Sequence, residues 1–474
     1  MKILAKCPTG INGLDEITGG GLPRGRPTLI TGYAGSGKTL FGMEFLVHGA
    51  RDYGEPGIFI AFEESEKDLV TNVTSLGWDL QDLIDRKMLL LDHIVVERSE
   101  IEETGEYDLE GLFVRINYAI ESIGAKRIVI DTLEALFAGL SNEAILRAEL
   151  RRLFSWLKDK GMTAIITGER GNVGVTRYGI EEYISDCVIT LDHRVTEQIS
   201  TRRLRILKYR GTLHGTNEYP FIIGEKGISV LPVTSLKLEH KATSERKSSG
   251  LKELDEMLSG KGYYKGSSIL ISGSAGTGKT SLAYHFVEAS CRNREKCLVF
   301  AFEESPDQIV RNMKSIGIDL RKWMDNGTLT IISERPSFTG LESHLVKIHK
   351  AVEDFNPKNV VIDPMSNLIS VGSPIEVKSI LTRMVDYLKT KNINTVMTSL
   401  TPEGSGSAFG TTEGISSLID TWINLEKVVE SGQSIILISI IKSRGMSHSN
   451  ESRILTITGD GIKIGDKHRG QVDK

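Results

Sequence analysis

Short apolar runs alternate along the chain with longer stretches whose apolar residues recur at helical spacing. Residues 28–30, 57–61, 127–130, 163–167 and 187–191 are mostly apolar at consecutive positions and too short for helices. Such runs are buried on both faces, so they predict strands of a parallel sheet. Residues 40–53 and 142–160 carry the helical period instead. Strand and helix taking turns predicts an α/β fold, a mainly parallel sheet flanked by helices.

The pattern then starts again. LITGYAGSGKT at 29–39 returns as LISGSAGTGKT at 270–280, and IFIAFEESEKDLV at 58–70 returns as LVFAFEESPDQIV at 298–310. TSLGWDL returns as KSIGIDL, RIVIDT as NVVIDP, and LKYRGTLH as IKSRGMSH. Paired lysines 38 and 279 lie 241 positions apart, glutamates 63 and 303 lie 240 apart, aspartates 131 and 363 lie 232 apart, and arginines 210 and 444 lie 234 apart. A spacing so long and so constant is the mark of a duplicated domain, not of a solenoid of short units. The polar, Ser/Lys-rich stretch SLKLEHKATSERKSSG at 235–250 lacks apolar periodicity and reads as the junction. The expected domains are 1–236 and 249–474, with 237–248 as linker.

Composition narrows the classes. The chain has 474 residues, more than one hydrophobic core serves. Net charge is −4 and aromatic residues are 6%, which argues against a basic, base-stacking surface for nucleic acid. No apolar run reaches the roughly 18–20 residues of a membrane helix. The opening MKILAKCPTG has no apolar core of a signal peptide. Cys7, Cys187, Cys291 and Cys297 form no C-x-x-C pair, which suits a reduced, cytoplasmic compartment.

GYAGSGKT (32–39) and GSAGTGKT (273–280) both fit G-x-x-x-x-G-K-[ST], each after an apolar strand and before a helical pattern. The glycines let backbone N–H groups curl toward phosphate, and the following helix adds its positive end. Contacts to ATP are expected from Gly35, Ser36, Gly37, Lys38, Thr39, Leu40 and Ser75, and from Gly276, Thr277, Gly278, Lys279, Thr280 and Ser281. Thr39 and Thr280 are expected on Mg²⁺, with Asp131, Asp363 and Glu303 as its carboxylates. The pairs Glu63-Glu64 and Glu303-Glu304 follow the second strand of each half. One carboxylate of each pair is placed to deprotonate a nucleophile, with its neighbour tuning the pKa. Together these motifs predict two tandem RecA-like P-loop NTPase domains.

On FEES, SLGWDL, DLEGLFVRINYAI (108–120), RYGIEEYISD (177–186) and LKYRGTLHGTNEYPF (207–221), with GTGKT, FEES, ISSLIDT and IKSRGMSH in the second half, the chain resembles the KaiC family over both domains. That resemblance implies a homohexamer of stacked rings with ATP held between neighbours. It implies that Lys208, Arg210 and His214, and Lys442, Arg444 and His448, reach the adjacent subunit's ATP. It also implies a serine autokinase in the second half. Ser416 and Ser417 stand in the slots of Glu182 and Tyr183, so the second half offers serines where the first offers none. Hydrolysis is expected in the first ring and autophosphorylation of Ser416/Ser417 in the second, as a timer or switch. Residues 108–120 resemble the region that receives KaiB, so a KaiB-like partner is expected. The family's clock members continue into a tail that binds KaiA, whereas this chain stops at ITGDGIKIGDKHRGQVDK, so KaiA is not expected. Ser-Ser replaces the more common Ser-Thr acceptor pair, and Ile316 stands where an aromatic residue is common beside adenine.

Two rival readings remain. A RecA- or DnaB-like nucleic-acid motor would grip its strand with a basic loop, but residues 401–414 (TPEGSGSAFGTTEG) contain no Lys or Arg. A nucleotide-switched adaptor without kinase activity would not require the Lys, Thr, Glu and Asp sets that both halves retain.

Overall fold

A computed structural model describes residues 4–95, 110–136, 143–171, 184–196, 199–232, 243–335, 340–369, 374–401, 416–430 and 432–468. The chain divides into two compact units, Met1–Ser235 and Leu236–Lys474. Among the described residues no helix is long and apolar enough to cross a membrane.

Each unit is built on one sheet of nine strands among the described residues. In the first, the order is Gly227–Val230, Glu218–Gly224, Ile199–Tyr209, Cys187–Thr196, Pro27–Gly32, Thr163–Glu169, Arg127–Asp131, Gly57–Ala61 and Leu89–His93. The last six are parallel, and the first three add on antiparallel. The second unit repeats this with Leu329–Ser333, Cys297–Ala301, Asn359–Asp363, Asn394–Leu400, Ser268–Gly273 and Thr421–Glu430 parallel. Gln433–Ser443, Arg453–Thr458 and Gly461–Lys467 follow antiparallel.

The expected two-domain, mainly parallel α/β architecture is therefore the observed one. Alternation explains why the strands are continuously apolar. Ile30, Phe59, Val129 and Ile165 pack on one face of the first sheet, while Leu29, Ile58, Ile128, Ile130 and Ile166 pack on the other. Successive side chains point to opposite faces, so covering both faces demands apolar residues at every position. The helices Lys38–Tyr53 and Glu143–Asp159 supply part of that cover.

Two departures have physical causes. Residues 246–247, expected in a linker, form the strand Arg246–Lys247 and pair with Tyr263–Tyr264 inside the second unit. Arg246 donates to the carbonyl oxygens of Leu258 (2.8 Å) and Gly262, and Lys247 reaches Glu295 and Asn359. A segment without apolar periodicity is thus held by its charges. The antiparallel strand Ile199–Tyr209 of the first unit was not among the expected strands because its inward residues alternate with Arg, as at Arg203, Leu204, Arg205 and Ile206.

Candidate functional site

In each unit the central strand runs into a glycine loop and then a helix. Gly35 and Gly37 have φ of 72° and 103°, and Gly276 and Gly278 have 75° and 88°. Side chains with a Cβ rarely adopt these angles, so the loop geometry needs glycine. Gly37 and Gly278 cap the helices Lys38–Tyr53 and Lys279–Arg292. The Lys38 ammonium donates to the carbonyl oxygens of Gly32 (2.9 Å) and Tyr33 (3.2 Å), and that of Lys279 to Ser274 (2.6 Å). Both lysines are buried. Burial lowers the pKa of Lys279, against the attraction of Asp363 and Glu303. Among the described residues, the buried hydroxyl of Ser36 has no hydrogen-bond partner. Thr277 hydrogen-bonds to the Ser274 carbonyl instead, at 2.9 Å. Leu40 and Ser281 follow in the first helical turn, half-buried.

The aspartates close the cradle. Thr39 Oγ1 donates to Asp131 Oδ2 at 2.8 Å, and Thr280 Oγ1 to Asp363 Oδ1 at 3.3 Å. Thr167 and Thr398, on the neighbouring strand, donate to the same carboxylates. Burial pushes the pKa of both aspartates up, and these hydroxyls pull it down. Glu303 and Glu304 add to the upward push on Asp363, which places that pair close to it. The glutamate loops are tied to the aspartate strands directly: Phe62 N–H donates to Asp131 O at 3.0 Å and Phe302 N–H to Asp363 O at 2.8 Å. Within each pair the second glutamate is held, Glu64 by Asn72 (3.2 Å) and Glu304 by Asn312 (3.0 Å). The first, Glu63 or Glu303, is exposed. Ser75 is exposed and closes the helix Glu66–Thr74 that begins just after the glutamates. Ile316 packs beside the core of the second unit, next to the turn at Gly461.

A hydroxyl and a buried carboxylate in contact offer the hard oxygen ligands that Mg²⁺ takes. That ion takes hard oxygen ligands, keeps several waters and borrows the rest from substrate phosphates.

The remaining expected residues lie at the other end of the sheet. Gly32 pairs with Leu191 at the loop end, whereas Thr28 pairs with Cys187, and Cys187 with Tyr209. Lys208, Arg210 and His214 therefore sit about four strand residues, roughly 13 Å, below the unit's own phosphate loop. The second unit repeats this: Gly273 pairs with Leu425, Trp422 with Lys442 and Thr421 with Ser443. In both histidines, His214 and His448, Nδ1 is buried without a hydrogen-bond partner among the described residues. Arg210 and Arg444 are exposed.

At that same lower end of the second sheet lies the short helical turn Ser416–Leu418. Ser416 is half-buried and Ser417 exposed. The Lys442 ammonium donates to the Ser416 carbonyl at 2.6 Å. Lys389 contacts the Leu418 carbonyl at 3.5 Å and Asp420 at 2.7 Å. Burial disfavours the Asp420 carboxylate, but Lys389 and the Ser268 N–H and hydroxyl outweigh it and hold its pKa down. The first-half counterparts Glu182 and Tyr183, the segments 172–183 and 402–415, and Asp108 and Leu109 lie outside the described residues.

Sequence reasoning missed Thr167 and Thr398, Asn72 and Asn312, and Lys158 and Lys389. Each pair holds the same relative place in the two halves, so the duplication itself carried the signal.

A family model described as ATPase: KaiC matches residues 7–235 and again 247–469. The chain is 55% identical over 469 residues to the circadian clock protein KaiC2 of Synechocystis sp., covering 99% of this chain and 83% of that protein. It is 40% identical over 463 residues to the circadian clock oscillator protein KaiC of Prochlorococcus marinus subsp. pastoris, covering 97% and 91%. With the circadian clock protein KaiC3 of Synechocystis sp. it shares 38% over 470 residues, covering 98% and 93%.

Proposed function

The chain belongs to the KaiC family of ATPases, and from that premise we propose that it hydrolyses ATP in its first half and phosphorylates its own Ser416 and Ser417 in the second. Its class is that of the clock ATPases that are also autokinases. The reading that it is a nucleic-acid motor is not favoured.

In each half the loop N–H groups and Lys38 or Lys279 hold the β- and γ-phosphates. Thr39 with Asp131, and Thr280 with Asp363 and Glu303, would hold Mg²⁺, which would supply positive charge against the charge developing on the phosphates. In the first half, Glu63 or Glu64 takes the proton of the attacking water. In the second, Glu303 or Glu304 takes the proton of the serine. The serine oxygen–phosphorus bond forms as the bond between the γ-phosphorus and the bridging oxygen breaks, and ADP leaves with the electron pair. Lys208, Arg210 and His214, or Lys442, Arg444 and His448, bring positive charge to the transferring phosphoryl of a neighbouring chain. A homohexamer fits this arrangement, with a KaiB-like protein as partner of the first ring.

One observation carries the reading. Finger and serines lie at the sheet end opposite the phosphate loop of their own unit. That separation from their own loop supports a γ-phosphate donated by another copy of the chain. A time course of ATP hydrolysis and phosphosite occupancy on the purified oligomer tests this. The expected result is phosphate at Ser416 or Ser417 in oligomeric fractions alone. Full turnover by a stable monomer would overturn it.

A further inference from the structure

The lower ends of the two sheets differ in one position with a large effect on space. In the first unit Asp186 is faced by Arg26 (3.4 Å), Lys158 (3.8 Å) and Arg210 (3.9 Å). In the second unit the equivalent Asp420 is faced by Lys389 at 2.7 Å, and Arg444 N–H donates to its carbonyl at 2.8 Å. The residue in the place of Arg26 is Ser267. Its hydroxyl turns away to the Tyr264 carbonyl at 2.6 Å. Where the first unit has a guanidinium, the second has a cavity of about 460 Å³, lined by Lys265, Ser267, Lys389, Asp420 and Arg444 among others. That is the size of a small-ligand pocket.

Lys389 links the cavity to the acceptor turn: it lines the cavity and contacts the Leu418 carbonyl at 3.5 Å. The carbonyl oxygens on either side of Ser417, those of Ser416 and Leu418, are contacted by Lys442 and Lys389. Asp420 is the carboxylate set among Lys389, Lys442, Lys265 and Arg444, and Lys265 is itself shared with Glu245 at 2.7 Å. The neighbourhood therefore carries more positive than negative charge before any phosphate arrives. A phosphoserine brings about −1.5 to −2 charge and three acceptor oxygens, which is the complement of such a cluster.

We propose that this cavity is the receiving site for the phosphoserine formed on the acceptor turn of the same chain, with Lys389 shifting from Asp420 toward the phosphate. The inference rests on the autokinase reading above. Lys389 acts as a positioning residue: it does not touch the reacting atoms during transfer but keeps the product phosphate once the turn swings back from the neighbour's ATP. In the first unit Arg26 stands in the place of Ser267 and pairs with Asp186 instead. Both units retain a Lys–Asp pair at the sheet's lower end, and in the second the cavity lies beside it.

The test is a ³¹P NMR titration of the protein after incubation with ATP·Mg²⁺, with phosphosite occupancy followed by mass spectrometry. In the parent protein the phosphoserine resonance should titrate below its usual value of about 6. Lys389→Gln should raise that midpoint by about half a unit or more and cut occupancy about threefold, and Lys389→Arg should restore both. Ser267→Leu, which fills the space without adding charge, should move both readouts in the same direction as Lys389→Gln. Phosphate present in Lys389→Gln with an unshifted midpoint and full occupancy would overturn the inference alone. Absence of phosphate from both serines in the parent protein would overturn the autokinase reading and the inference together.

Discussion

At the phosphate end, the two halves hold the same atoms in the same relations: a buried lysine across the glycine loop, a threonine hydroxyl on a buried aspartate, and a second threonine on that aspartate from the next strand. At the other end they diverge, with Arg26 beside Asp186 in one and Ser267 and open space beside Asp420 in the other. They also diverge beneath the sheet. Arg127 is fully buried in the first unit, bonded to Glu55 (2.7 Å) and to the Phe45 carbonyl (2.9 Å), with its guanidinium over the Phe45 ring. In the second unit Asn359 takes its place and Lys247 enters from the domain edge to reach Glu295. The difference teaches that a duplicated enzyme can keep one nucleotide chemistry and alter only what the phosphoryl meets. On the proposed reading, one end of the sheet sets the nucleotide chemistry and the other the acceptor.

The sharpest way to separate the halves is to remove one finger at a time. Arg210→Ala should slow steady-state ATP hydrolysis about 10³-fold while phosphorylation of Ser416 and Ser417 continues, and Arg444→Ala should do the reverse. A phosphate-release assay run beside phosphopeptide mapping reads both; equal loss of both activities in either variant would merge the two roles. Next in size is Arg127→Ala. It leaves Glu55 with Arg24 as its remaining cation and empties a fully buried site, and should destabilise the first unit by about 3 kcal/mol in urea unfolding, against about 1 kcal/mol for Asn359→Ala in the second. Glu63→Gln should lower hydrolysis about 10²-fold and Glu303→Gln should lower serine phosphorylation by a similar factor. Unchanged rates in these variants would move the base to Glu64 and Glu304.

The smallest expected effect is a divergence with pH. Burial works against charging His48, but Glu44 and Asp52 outweigh it and raise its pKa. Its contribution is therefore complete below the ordinary value of about 6.5 and fades as pH rises through the raised one. His285, in the equivalent helix of the second unit, has its pKa lowered by burial. The unfolded chain then binds that proton more readily, so its contribution is present above about 6.5 and fades as pH falls toward the lowered value. Hydrogen exchange, corrected for its intrinsic pH dependence, should show Lys279–Arg292 gaining protection as pH rises toward about 6.5 and Lys38–Tyr53 losing it as pH rises above about 6.5. Parallel trends in the two helices would contradict the assignment.

Much of this was legible in the chain itself. The fold announced itself through runs buried on both faces, and the phosphate loops through glycines at positions that need positive φ. The aspartates were legible because each ends an apolar run. The glutamate pairs gave their location but not the asymmetry within them, since the asparagine that holds the second member is eight residues on and looks like an ordinary helix surface. Lys158 and Lys389 stayed hidden for a similar reason. A lysine in the last turns of an amphipathic helix reads as solvated, and only the sheet's register brings it to Asp186 or Asp420. The strand Arg246–Lys247 was hidden because charge, not apolar periodicity, anchors it.

On the proposed reading, the cradle at one end of the sheet and the basic residues at the other give each copy a donor side and a recipient side. Such head-to-tail contacts either close into a ring or run on without limit. A subunit with a ruined cradle still lends a sound finger, and one with a ruined finger still owns a sound cradle. Mixing equal amounts of the two defective proteins, each inert alone, would therefore restore competent sites at about a quarter of the contacts. Complementation of that kind is a property of the arrangement, and no single chain possesses it.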